Sequence, residues 1–235
     1  DWTIHARLRQ LVVRVPRADA HLVVHLLVDI SRSMGVGVPS KLDVAARLAE
    51  ALACVALARR DVAGLAVFDR GVRTLAAPRS GGWQARRLTT LLDALTPGAS
   101  SAATPALAEY AASVRGPGLA VVISDFLQPD GPAAGLRALE HAGLTPVIVQ
   151  VVASEEQQLR IDDEIELVDS EDPVRTRLVD AAATGEYHAQ MRRLTQALRE
   201  YAAGLGTPYV LVETSAGFHT MLQRAVEAGL LERRG

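Results

Sequence analysis

The stretch Leu22-Val-Val-His-Leu-Leu-Val-Asp29-Ile-Ser31-Arg-Ser33 decides the fold of this chain. A near-continuous apolar run of that length is the mark of a strand buried on both faces of a parallel sheet. It ends in an aspartate, and open α/β sheets place their ligand sites at the carboxyl ends of such strands. A second run repeats the design, Leu119-Ala-Val-Val-Ile123 being followed by Ser124-Asp125. Asp29, Ser31 and Ser33 alternate by two, so an extended segment turns all three oxygens to one side. With Asp125 they make a cluster of hard oxygen donors suited to a divalent cation such as Mg²⁺. By itself, Asp-x-Ser-x-Ser is equally consistent with an Asx turn or a helix cap. The second aspartate, at the end of a second buried strand, shifts the balance toward a site.

Strand and helix patterns alternate along the rest of the chain. Leu11–Val15 reads as a strand before a turn at Pro16–Asp19, and Lys41–Arg59 carries apolar residues at helical spacing behind Ser40 as N-cap. Strands follow at Gly64–Phe68 and Val72–Ala76, joined by the turn Asp69-Arg-Gly71. Helices are predicted over Trp83–Ala94, Ala102–Val114, Ala133–His141, Glu186–Ala203 and Phe218–Ala228. Strands are predicted over Leu119–Ser124, Pro146–Val152, Glu164–Asp169 and Tyr209–Glu213. Such alternation means βαβ units and a largely parallel sheet. The simplest organisation is one domain over 1–235, with 154–179 as an acidic irregular insertion.

Composition narrows the function classes. The chain has 235 residues, 49% hydrophobic and 4% aromatic, so its core must be built from Leu, Val and Ala. A formal net charge of −2 argues against a polyanion partner, so no nucleic acid is expected. The single cysteine, Cys54, allows no intrachain disulfide and reads as a buried helical thiol. The six histidines show no ligand spacing with Cys54 or with each other, which leaves soft-metal binding without support. His25, in mid-strand, reads as a satisfied core histidine. No apolar run reaches membrane-spanning length, and a cytoplasmic location is expected. No Gly-x-x-x-x-Gly-Lys-Ser/Thr loop occurs, so the chain is not itself a P-loop ATPase.

Between the two aspartate strands lies Pro97-Gly-Ala-Ser-Ser101-Ala-Ala-Thr-Pro-Ala106-Leu107, a small-residue loop entering a helix. Asp-x-Ser-x-Ser after the first core strand, Thr or Ser in such a loop, and Asp after the next core strand resemble the metal-ion-dependent adhesion site of von Willebrand factor A domains. In that family the loop usually reads Gly-Gly-Thr, with Ala-Leu five and six residues on. Ser101 with Ala106 and Leu107 matches the spacing, serine replacing threonine; Thr104 is the alternative, out of register with the Ala-Leu pair. The resemblance implies the ligand set Asp29, Ser31, Ser33, Ser101 and Asp125. It also implies a Rossmann-like von Willebrand factor A fold, a central mainly parallel sheet with helices on both faces.

Outside the site, Asp1-Trp2 with Ala6-Arg7, Lys41-Leu-Asp-Val-Ala-Ala46, Gly64-Leu-Ala-Val-Phe-Asp69 and Val122-Ile-Ser-Asp125-Phe126 resemble the bacterial domain-of-unknown-function family fifty-eight. So do the acidic Asp169-Ser-Glu-Asp172, Tyr187 opening a long helix, and Thr207-Pro-Tyr-Val210 with Thr214. In that family Arg and Ile commonly precede the Asp-Trp pair, so residues 1–20 are expected to be truncated upstream. The resemblance implies a non-enzymatic protein-binding module acting with a MoxR-type AAA+ ATPase or its client. A partner Asp or Glu would complete the shell of Mg²⁺, with Mn²⁺ or Ca²⁺ as substitutes. Two rivals stay open: a metal-dependent hydrolase or phosphatase, and a scaffold with a vestigial metal site.

Overall fold

The computed structural model describes residues 21–98, 102–128, 131–157, 165–168, 176–179 and 181–229. The strand and turn expected within 11–19 lie outside these residues. Six strands form one sheet: β1 (Val23–Asp29), β2 (Val62–Phe68), β3 (Val72–Arg79), β4 (Gly118–Ser124), β5 (Leu144–Val152) and, near the C-terminus, β8 (Tyr209–Glu213). Their order is β3-β2-β1-β4-β5-β8. All neighbours are parallel except β2 and β3, a hairpin at one edge. Gly64 of β2 faces Pro78 of β3 so closely that a Cβ would lie 2.8 Å from the proline ring, and Pro78 lies on the edge strand, where a residue without an N–H is tolerated.

The apolar runs conceal a period of two. Val24, Leu26 and Val28 of β1 join one core cluster, with Val121 and Ile123 of β4; Leu27, Ala120 and Val122 join the other. On the first face lie α1 (Lys41–Ala58), α2 (Gly82–Asp93) and α7 (Phe218–Glu227); on the second lie α3 (Ala103–Ser113), α4 (Ala133–His141) and α6 (Ala181–Leu205). This is the Rossmann-like α/β architecture expected, with helices on both faces. Ser40 caps α1 as predicted: its hydroxyl accepts from Asp43 N at 3.1 Å, and the Asp43 carboxylate accepts from Ser40 N at 3.0 Å. Among the described residues no helix is long and apolar enough to cross a membrane.

Three local readings differ. The stretch 154–179 is not irregular throughout: it opens with one helical turn, α5 (Ser154–Gln157), and contains an antiparallel pair, β6 (Ile165–Val168) and β7 (Thr176–Val179). Four-residue strands among acids fall below the length at which periodicity separates strand from loop. Helix α6 begins five residues early, because Ala181-Ala-Ala favours helix before the apolar period starts. Cys54 is exposed rather than buried. Helix α1 is so rich in alanine that its wheel has no sharp boundary, and Cys54 falls just off the face formed by Leu48, Leu52 and Ala56.

His25 is the core histidine expected. It is 4% exposed, and its Nδ1 shares a hydrogen bond with Tyr110 Oη of α3 at 2.8 Å. Burial lowers its pKa from 6.5 to about 4. The unfolded chain therefore takes up this proton first, so the stabilising contribution is complete above about pH 6.5 and disappears as pH falls through 4. A loss of up to about 3 kcal/mol is expected over that window, flattened in His25→Gln, with an NMR titration midpoint for His25 near 4. Leu107 has no exposed surface and anchors the second core face; Leu107→Ala should cost about 2–5 kcal/mol in urea denaturation.

Candidate metal centre

Strands β1 and β4 lie side by side where the chain order reverses, with β2 and β3 on one flank and β5 and β8 on the other. That is the switch point, where the loops part and open a crevice at the carboxyl edge. Val28 pairs with Ile123, which brings Asp29 level with Ser124. Asp29 has no exposed surface. Its Oδ1 accepts from Ser31 N at 2.8 Å, and its Oδ2 accepts from the Ser124 hydroxyl at 2.6 Å. Ser31 precedes a 3₁₀ turn, Arg32–Gly35, which folds Ser33 back so that the two serine Oγ atoms stand 3.2 Å apart. The Asx-type contact is thus present, and the two serine hydroxyls stand together in the same turn.

Asp125 follows β4 and is 2% exposed. Burial first, then the charge of Asp125, raises the Asp29 pKa, while bonds from Ser124 and Ser31 pull the other way. The two carboxylates therefore share one electrostatic environment. Ser101 lies outside the described residues, but its loop is held on both sides. Gly98 N donates to Ile30 O at 2.6 Å, and Ala102 N donates to Asp69 O at 2.8 Å. A Cβ at residue 98 would lie 2.6 Å from Asp69 Oδ2 and 3.3 Å from Ile30 O, so a larger residue there would require the Asp69 side chain to move. Thr104, the alternative loop residue, donates its hydroxyl to Gly131 O at 3.1 Å.

Sequence reasoning missed three participants. Ser124 bonds Asp29 and also accepts from Phe126 N at 2.9 Å. That second bond steadies Phe126 at φ 59°, a left-handed conformation costly for an aromatic residue, and its ring is buried in the core. The other two are Lys41 and Glu156. The ammonium of Lys41 lies 2.8 Å from Asp125 Oδ2 and 2.6 Å from Glu156 Oε1. Burial opposes its charge, but the two carboxylates outweigh burial and raise its pKa above the ordinary lysine value. Tyr187 of α6 stands in the same field, its pKa raised by burial and then by Glu156 and Asp125. A signal for Lys41 was available: a cation at the first position of a helix opposes the helix dipole and calls for a nearby anion.

Among the described residues no group of three or more His, Cys, Asp and Glu could hold a metal ion. The donors here are of another kind, two carboxylates with hydroxyls. Asp29 lies beside Asp125, whose own charge is answered in part by Lys41. Hard oxygens with an unbalanced buried carboxylate fit Mg²⁺, which accepts about six such oxygens and retains water. A cavity of about 550 Å³ lies nearby between α6 and the sheet, lined by Val152, Glu156, His188, Arg192, Thr195 and Leu211 among others. None of Asp29, Ser31, Ser33 or Asp125 lines it.

A family model described as "Protein of unknown function DUF58" matches residues 1–197. The chain belongs to this family. No curated protein matches it. Among solved structures, this DUF58 member is similar to the conserved hypothetical protein BatB from Bacteroides thetaiotaomicron, with 15% identity and a TM-score of 0.51 over 88% of this chain and 98% of that one. An aerotolerance-related membrane protein from Bacteroides fragilis gives 18% identity and a TM-score of 0.53 over the same shares. A von Willebrand factor type A protein from Catenulispora acidiphila aligns with 14% identity and a TM-score of 0.46, over 56% of this chain and 33% of its own. At these identities the first two share the fold and nothing more follows from them.

Ser124→Ala leaves Asp29 Oδ2 and Phe126 N without the hydroxyl they share. A loss of about 1–3 kcal/mol is expected by urea denaturation, and a neutral result would show that water replaces the hydroxyl.

Proposed function

We propose that this DUF58 domain is a non-enzymatic, Mg²⁺-dependent protein-binding module. Asp29 and Asp125 hold the ion directly or through water, while Ser31, Ser33 and Ser101 fix the geometry. An Asp or Glu of the partner completes the shell. The observation that carries this reading is Asp29: a carboxylate with no exposed surface, placed beside a second carboxylate at the switch point. A divalent cation left electrophilic by so few anionic ligands attracts an incoming carboxylate strongly. The resemblance of the sequence to its family supports a MoxR-type AAA+ ATPase, or its client, as that partner.

The carboxylates are poorly disposed for hydrolysis. General-base catalysis needs a group within hydrogen-bond reach of the proton it removes. Asp43 is occupied in the cap of α1. The cavity beside α6 does not include the Asp29 turn.

The test is capture of the host's MoxR-type ATPase from purified components, alongside calorimetric titration with Mg²⁺. Capture should require Mg²⁺, vanish with EDTA, and fall at least about tenfold in Asp125→Ala. Capture indifferent to chelator and to Asp125→Ala would favour the vestigial-site scaffold. Metal-dependent phosphoester turnover abolished by Asp29→Ala would favour the hydrolase.

A further inference from the structure

Lys41 has no exposed surface, yet it carries an ammonium at the N-terminal end of a helix, where burial and the helix dipole both oppose it. Two carboxylates compensate. Asp125 gives Oδ2 at 2.8 Å and keeps Oδ1 on Leu127 N at 3.1 Å. Glu156 gives Oε1 at 2.6 Å and keeps Oε2 on Ala153 N at 3.0 Å. Glu156 belongs to α5, directly after β5, and its neighbour Glu155 accepts from Val38 N at 3.4 Å. The segment before α1 and the first residue of α1 are thus fastened to α5 at two successive glutamates.

We infer that Lys41 sets the charge of the metal centre and, by holding Oδ2 of Asp125, limits that carboxylate's grip on the ion. This inference rests on the proposed function and deepens it. With Lys41 in place, the ion meets a smaller negative charge and one constrained aspartate, so its shell stays incomplete and an outside carboxylate can join. Without Lys41, Oδ2 of Asp125 would be released from the ammonium, and the ion would be held more tightly. Glu156 works in the opposite sense. It shares the ammonium with Asp125, so its removal transfers the full positive charge toward Asp125 and weakens the hold on the ion.

The two residues are therefore positioning residues with effects of opposite sign. Lys41→Met keeps the aliphatic length and removes the charge; Glu156→Gln keeps the shape and removes the carboxylate. Mg²⁺ affinity by isothermal titration calorimetry should tighten by about tenfold in Lys41→Met and weaken by a similar factor in Glu156→Gln, relative to the wild-type chain. Mg²⁺-induced thermal shifts should follow the same order. A purely structural role would weaken binding in both variants. Wild-type binding with both variants unchanged, or both weaker, overturns the inference and leaves the proposed function standing. Mg²⁺ uptake by Lys41→Met but not by the wild type would overturn both, because the inference requires an ion held with Lys41 in place. No uptake by any of the three overturns both. If circular dichroism shows Lys41→Met unfolded, Glu156→Gln decides alone, and unchanged or tighter binding there sinks the inference.

Discussion

A carboxylate removed from water must be balanced, and Asp29 is the group on which the carboxyl edge of this sheet depends. It closes a strand packed on both faces, so it cannot turn outward to solvent. Two hydrogen bonds, from Ser31 N and the Ser124 hydroxyl, reduce the cost of burying it. They do not neutralise it, and Asp125 beside it adds a second charge of the same sign. An unbalanced carboxylate held in this way is a poor device for stability.

The surrounding framework has the same logic. The loop before α3 is tied to Ile30 and to Asp69, so three chain segments converge on the Asp29 turn. The left-handed Phe126 redirects the chain just past Asp125, and buried aromatic surface on the second core face holds that bend. Lys41 and Glu156 add an ion-pair relay from α1 to α5. Its elements lie far apart in sequence and meet only because β4 and β5 are neighbours in the sheet. Membership of DUF58 fits this sheet.

Much of the architecture was legible because burial writes itself into local sequence. Continuous apolar runs marked β1 and β4, helical spacing marked α1, and Ser40 marked a cap that the structure contains. Reading failed where the local signal was short or flat. The hairpin β6–β7 has strands of only four residues, and alanine-rich α1 offered no clear face by which to place Cys54. At the site, Asp29, Ser31 and Ser33 were visible because one turn carries all three. Ser124 was quoted only as the residue before Asp125, since nothing local distinguishes a strand-end serine that bonds across to the next strand.

The sequence by itself determined the alternation of strand and helix, the two aspartates at strand ends, and the family. Those features depend on residues near one another in the chain, where period and spacing act directly. Only the tertiary structure decided which charge answers which. The pairing of Lys41 with Asp125 spans 84 positions, and that with Glu156 spans 115. Electrostatic partnership depends on distance through space and on exclusion of water, and neither is encoded in the spacing of residues along the chain.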